Sequence, residues 1–160
     1  NTEIGLMEVI RWKPKWTIKK YDRNMNLYGT EIIEGNLLLN EGITSLLTLL
    51  IGGTETAFDN THAYIGVGDG TTAATATQTG LVGTNKTYAP MDAAYPQISG
   101  QTVTFRATFG PDKGNHAWRE FTIANGNSDT AKNLNRKVES ALRTKVNPDT
   151  WVIQLSITLS

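Results

Sequence analysis

Apolar and polar positions alternate in three stretches of the chain with the period of two that marks a half-buried strand. From Trp12 to Ile18, the residues Trp12, Pro14, Trp16 and Ile18 share one face; Lys13, Lys15 and Thr17 share the other, and Lys19 extends the basic row. From Gln101 to Phe109, Val103, Phe105, Ala107 and Phe109 oppose Thr102, Thr104, Arg106 and Thr108. The last segment is the most regular, with Trp151, Ile153, Leu155, Ile157 and Leu159 on one side and Val152, Gln154, Ser156, Thr158 and Ser160 on the other.

Between these strands the pattern changes with the turn chemistry. Tyr21 to Asn26 carries Asp22, Asn24 and Asn26, and the extended pattern resumes from Leu27 to Ile33, which predicts a hairpin. Asn40 offers an N-cap, and Ile43, Leu46, Leu47 and Leu50 follow at the i, i+3, i+4, i+7 spacing of one helical stripe. Gly52 and Gly53 then end a helix predicted over Glu41 to Ile51. Ala63 to Val67 reads as a short buried strand, and Trp118 to Ala124 and Leu134 to Val138 as two more. Gly110 to Gly114, Asn125 to Lys132 and Asn147 to Asp149 are turns, while the Thr/Ala/Gly stretch from Thr71 to Gly83 is too small in side-chain volume to form core and predicts a surface loop.

Roughly six to eight short strands with a single helix predict a mainly β protein, an antiparallel β-sandwich of Ig-like or jelly-roll-like type. Residues 16–160 form one β-rich domain on this reading, and residues 1–15 an N-terminal arm or edge strand. At 160 residues the chain is long enough to bury a core without cross-links. Composition agrees: charged residues are only 19%, and Thr, Asn and Gly, which suit strands and turns, take their place.

Charge and cysteine content narrow the function classes. Fifteen basic and fifteen acidic side chains cancel, whereas a general nucleic-acid binder normally carries a basic excess, so no direct nucleic-acid partner is expected. The absence of cysteine removes disulfides and thiolate metal sites. Leu37 to Leu39 and Leu46 to Ile51 are far shorter than the ~20 apolar residues of a membrane span, so no membrane partner is expected, and Asn1 to Ile10 lack the form of a secretory signal.

The motifs that suggest chemistry each lack their required context. Gly66 to Gly70 resembles a phosphate-cradling loop, but neither an amphipathic helix nor a P-loop Lys follows, so a structural turn is expected. Asp22, Asn24 and Asn26 have the first spacings of a calcium loop, yet Leu27 stands where its Gly belongs and Ile33 where its Glu belongs. His62 and His116 are far apart and expected to be ordinary surface or hydrogen-bonded histidines. There is no nucleophile elbow, and the carboxylate pairs Glu31 with Glu34 and Asp59 with Asp69 are expected to be solvated. No catalytic set, cofactor or metal site is predicted, and the protein is not expected to be an enzyme.

What remains is a contact surface. Lys13, Lys15 and Lys19 read first as lysines protecting an edge strand from wrong pairing, and contact with an acidic surface or with nucleic acid is the competing reading. Trp12 and Trp16 are either core or part of an arm docked on a neighbouring subunit. The candidate subunit-contact residues are therefore Trp12, Lys13, Lys15 and Trp16.

Five segments taken in order, WTIKKYDRNMNLYGTEIIEGNLLLNEGITSLLTLL, AYIGVGDGTTAATATQTGL, TVTFRATFGPDKGNHAWREFTIAN, LNRKV and WVIQLSITLS, resemble a family of small virion proteins of tailed bacteriophages. That family places an N-terminal strand pair before a helix, then an I-G-x-G-x-G-T-T-A turn, here Ile65 to Ala73. An aromatic strand near W-R-E follows, here Trp118 to Glu120, and then an alternating closing strand. The resemblance covers roughly Trp16 to Ser160 and implies a structural role. The leading expectation is a capsid decoration or auxiliary head protein on the virion surface, partnered by the major capsid protein and by copies of itself. The alternative is a tail or fibre component, an adaptor or host-surface binding module.

Overall fold

The computed structural model describes residues 8–160; residues 1–7, the start of the expected arm and most of the stretch read for a signal, lie outside the described residues. The strands are β1 (Trp12–Tyr21), β2 (Leu27–Glu34), β3 (Leu37–Leu38), β4 (Tyr64–Gly68), β5 (Lys86–Pro90), β6 (Gln97–Ser99), β7 (Thr102–Phe109), β8 (Glu120–Ala124), β9 (Asn135–Val138) and β10 (Thr150–Leu159), with helix α1 (Asn40–Leu50) between β3 and β4. They form two five-stranded sheets, ordered β2-β1-β10-β7-β6 and β3-β9-β8-β4-β5, and every pairing is antiparallel. This is the antiparallel β-sandwich that the alternation predicts.

The three alternating segments lie side by side in the first sheet. β1 runs in unbroken register with β10 from Trp12↔Leu159 to Tyr21↔Thr150, and β10 pairs with β7 from Trp151↔Phe109 to Thr158↔Thr102. Their apolar parity therefore falls on one inner face. Trp16, Ile18, Phe105, Ala107, Phe109, Trp151, Ile153, Leu155 and Ile157 are buried there against Ile65, Val67, Ala89, Phe121 and Ile123 of the second sheet. Aromatic rings fill the gap between layers: Trp16 lies 5.5 Å from Phe121, and Trp118 packs edge-on against Phe109 at 4.8 Å and Trp151 at 4.9 Å, ring centre to ring centre.

Two expectations about β1 need correction. It is not an edge strand: the hairpin folds β2 back onto it, and from Lys15 to Tyr21 it is paired on both sides. Lys15 and Lys19 thus sit on the outer face of an interior strand, and Trp12 and Lys13 alone reach beyond the start of the β2 ladder, since Pro14 still accepts the Gly35 N–H. A boundary between residues 15 and 16 would cut through one continuous strand.

The hairpin turn also disposes of the calcium-like spacing. Asp22 Oδ1 accepts the backbone N–H groups of Asn24 and Asn26, each at 2.9 Å, so its side chain closes the turn. Those bonds, the backbone bond from Asn26 foremost, hold the Asp22 carboxyl below its ordinary pKa.

Helix α1 forms where its stripe predicts, but Asn40 is its first residue rather than its cap. Leu39 occupies the capping position and supplies no side-chain bond. The Thr71–Gly83 stretch is more than a surface loop: Gly80 and Leu81 are buried, and the segment packs across the outer side of the second sheet. Strands β3, β5 and β6 are too short or too polar to show a period.

Candidate functional site

The apolar residues of one end of the sandwich are left partly uncovered. Trp12 of β1, Val103 and Phe105 of β7, and Ile157 and Leu159 of β10 line one wall of a cleft. Leu134, Phe58 and Leu46 of α1 line the facing wall, with Ile10, Ile98 and Gln101 at the rim. The cleft has a volume of about 650 Å³, within the range of ligand and peptide pockets, and its lining carries no charged side chain. Trp12 donates its indole N–H to Asn36 Oδ1 at 3.4 Å, which fixes the ring at this end.

Helix α1 flanks the cleft in an unusual orientation. Its buried residues are Gly42 and Ser45, whereas the apolar stripe faces out: Leu47 is 58% exposed and Leu50 79%, and Ile51 beyond them is 83% exposed. The small, polar side of the helix is what the body anchors. Glu41 accepts the Asn133 backbone N–H at 2.7 Å, and Ser45 donates to Glu55 at 2.8 Å, whose carboxylate also takes Asn125 Nδ2 at 3.1 Å. Gly42 packs so closely on the Leu134 backbone that any side chain would collide with it. Hydrophobic periodicity finds the stripe but cannot say which side the body holds.

The glycine-rich motif has a different fate. Gly66 to Gly68 belong to strand β4 rather than to the expected turn, which begins only at Asp69, and the fully buried Glu120 of β8 lies against Gly68 and Gly70. Its carboxylate accepts the backbone N–H groups of Gly70 at 2.8 Å, Val82 at 2.9 Å and Gly83 at 2.7 Å, and pairs with the buried Arg136 guanidinium at 3.0 Å. Arg136 in turn donates to the Thr72 carbonyl at 2.8 Å and Gln78 Oε1 at 3.1 Å. A Cβ at Gly70 would sit 2.5 Å from Glu120 Oε2, so the turn needs glycine for close approach to an anion that belongs to the protein itself. The loop cradles a carboxylate instead of a phosphate.

Several other titratable groups are likewise engaged. Glu31 is only half-buried but is not a free solvated carboxylate, because Lys20 reaches it at 2.8 Å and Arg143 at 2.9 Å. Burial alone would raise its pKa, but these two cations outweigh burial and hold it below the usual glutamate range. Glu34 stands opposite Lys15 in the ladder. Asp59 pairs with His62 at 2.7 Å, Asp69 accepts Asn85 Nδ2 at 2.7 Å, and His116 meets Thr87 at 2.8 Å. Asp129 takes both Lys86 and Tyr88, and burial together with that carboxylate pushes the Tyr88 pKa up. Among the described residues no group of three or more potential metal ligands comes together.

The four residues singled out from the sequence fall into three environments. Trp16 is fully buried core and cannot contact a partner, because its parity matches Ile18 on the inner face. Trp12 is half-buried and lines the cleft. Lys13 and Lys15 project from the opposite, outer face of the first sheet, beside Ser156 and Thr158. The structure therefore places Trp12 in the cleft with Leu46, Ile98, Val103 and Leu159, and at its other side along a second hollow shared with Lys13 and Lys15. No significant match to the chain exists among protein-family models, curated proteins or solved structures.

Proposed function

We propose that the chain is a non-enzymatic structural component of a tailed-bacteriophage virion: a capsid decoration protein that sits on the shell and adds contacts to the major capsid protein and to copies of itself. The observation that carries the assembly role is the apolar surface of α1 running into the cleft, since soluble monomers rarely leave a large contiguous apolar patch bare. The resemblance of the ordered motifs from Trp16 to Ser160 supports the virion setting. The engagement of the buried carboxylates and of both histidines in structural bonds is in keeping with a role without catalysis.

Such a protein stabilises a particle through repetition, because contacts that are weak singly form at high effective concentration on a fixed lattice. Phage heads prepared with and without the protein test this directly. The proposal expects heads carrying it to resist heating better and immunogold label to lie over the head. Equal heat resistance, or label confined to the tail, would overturn the decoration role.

A further inference from the structure

Helix α1 and the cleft form one continuous surface, since Leu46 both belongs to the helix and lines the hollow. On one side of Leu46 stands a ridge made by Leu47, Leu50 and Ile51; on the other lies a depression rimmed by Ile10, Ile98 and Leu159. Taking roughly 180 Å² for a fully exposed Leu or Ile, these seven side chains leave roughly 800 Å² outside, about the contribution of one partner to a standard protein–protein interface and above the largest patch of a typical monomer.

We infer that this surface, which rests on the assembly role proposed above, is the interface of a two-fold symmetric dimer in which the α1 ridge of each copy fills the cleft of the other. A ridge beside a hollow is self-complementary under a two-fold axis: the rotation that brings one ridge over the facing hollow brings the other pair together as well. The fit in volume is of the right order, because about 650 Å³ accommodates the three large aliphatic side chains of the ridge. Charge permits a second copy as the occupant. No charged side chain lines the cleft, and the formal net charge of the chain is zero, so two copies approach without net repulsion. The occupied interface would place Leu50 of one copy near Ile98 of the other.

The cysteine-free sequence makes this geometry directly testable. Full-length Leu50→Cys and Ile98→Cys chains, one carrying a size tag, are mixed under mild oxidation; both positions are exposed, so neither substitution disturbs the core. The expected product is the mixed disulfide dimer, formed in excess over either homodimer. Absence of cross-linked product, or homodimers alone, would overturn the inference. Binding of Leu50→Glu to phage heads separates the two proposals. If the two cysteine-bearing chains give no mixed dimer while Leu50→Glu loses head binding, the surface serves a different virion protein: the dimer falls and the assembly role stands. If neither cross-linking nor head binding responds to the ridge, both fall.

Discussion

The outer side of the second sheet and the open end of the sandwich are opposites in every physical respect. Over the sheet, the Thr71–Gly83 segment seals a buried charge pair, and every lone pair of interest on Glu120 is taken by a backbone N–H or by Arg136. At the open end, the lining is apolar and Leu50 and Ile51 stand almost wholly in solvent. The contrast separates what looks chemical from what is available. The residues that mimic ligand-binding motifs are engaged in holding the fold, and the surface free to meet a partner bears no motif.

Substitutions should therefore divide sharply between the two regions. Glu120→Gln is expected to have the largest effect on stability, because removing one charge of a buried pair leaves the Arg136 guanidinium uncompensated; losses of this kind run to about 3–5 kcal/mol. Urea denaturation followed by tryptophan fluorescence would measure it, and a change below about 1 kcal/mol would mean the pair is not sealed from water. Gly70→Ala should come next, at about 1–3 kcal/mol, since the added methyl meets the Glu120 carboxylate at 2.5 Å. A neutral outcome there would show that the loop can retreat from the sheet.

Acid should reveal the smaller Glu31 contribution. Its folded pKa lies below the ordinary value of 4.5, so the stabilisation is fully present above that value and is lost as pH falls through the lower, folded pKa. Melting temperature measured from neutral pH downward should drop in this window, and Glu31→Gln should flatten the drop. An identical profile in the variant would assign the acid sensitivity elsewhere, Asp22 among the candidates because its pKa is lowered as well. Smallest of all should be the effect of Leu47→Glu with Leu50→Glu on the isolated fold, within about 0.5 kcal/mol per site, because these side chains are exposed. A large loss would mean that the stripe packs against the body in solution.

The same contrast explains what was legible in the sequence. Strands β1, β7 and β10 were readable because a period of two survives whenever one face is buried and the other wet, and these three share a single sheet. Strand β6 has three residues, all exposed, and β3 has two, so neither could carry a period. The α1 stripe was visible, but its direction was decided by Gly42, Ser45 and Glu41 finding the Leu134 backbone, Glu55 and Asn133, contacts between residues distant along the chain. Trp12 and Trp16 looked alike in sequence and diverged because the core is deep at Trp16 and open at Trp12. The role of Glu120 was hidden for the same reason: an acidic residue in an apolar strand points to no particular partner until the glycine turn folds over it.

The central claim is that the uncovered apolar end is the surface on which two copies of the chain meet, rather than an incompletely packed core. Light scattering on the full chain, beside the Leu47→Glu, Leu50→Glu variant, tests it most directly. The account predicts twice the 17.5 kDa chain mass for the unsubstituted protein and the single-chain mass for the variant, with melting of the variant still cooperative. A single-chain mass for both proteins would contradict it.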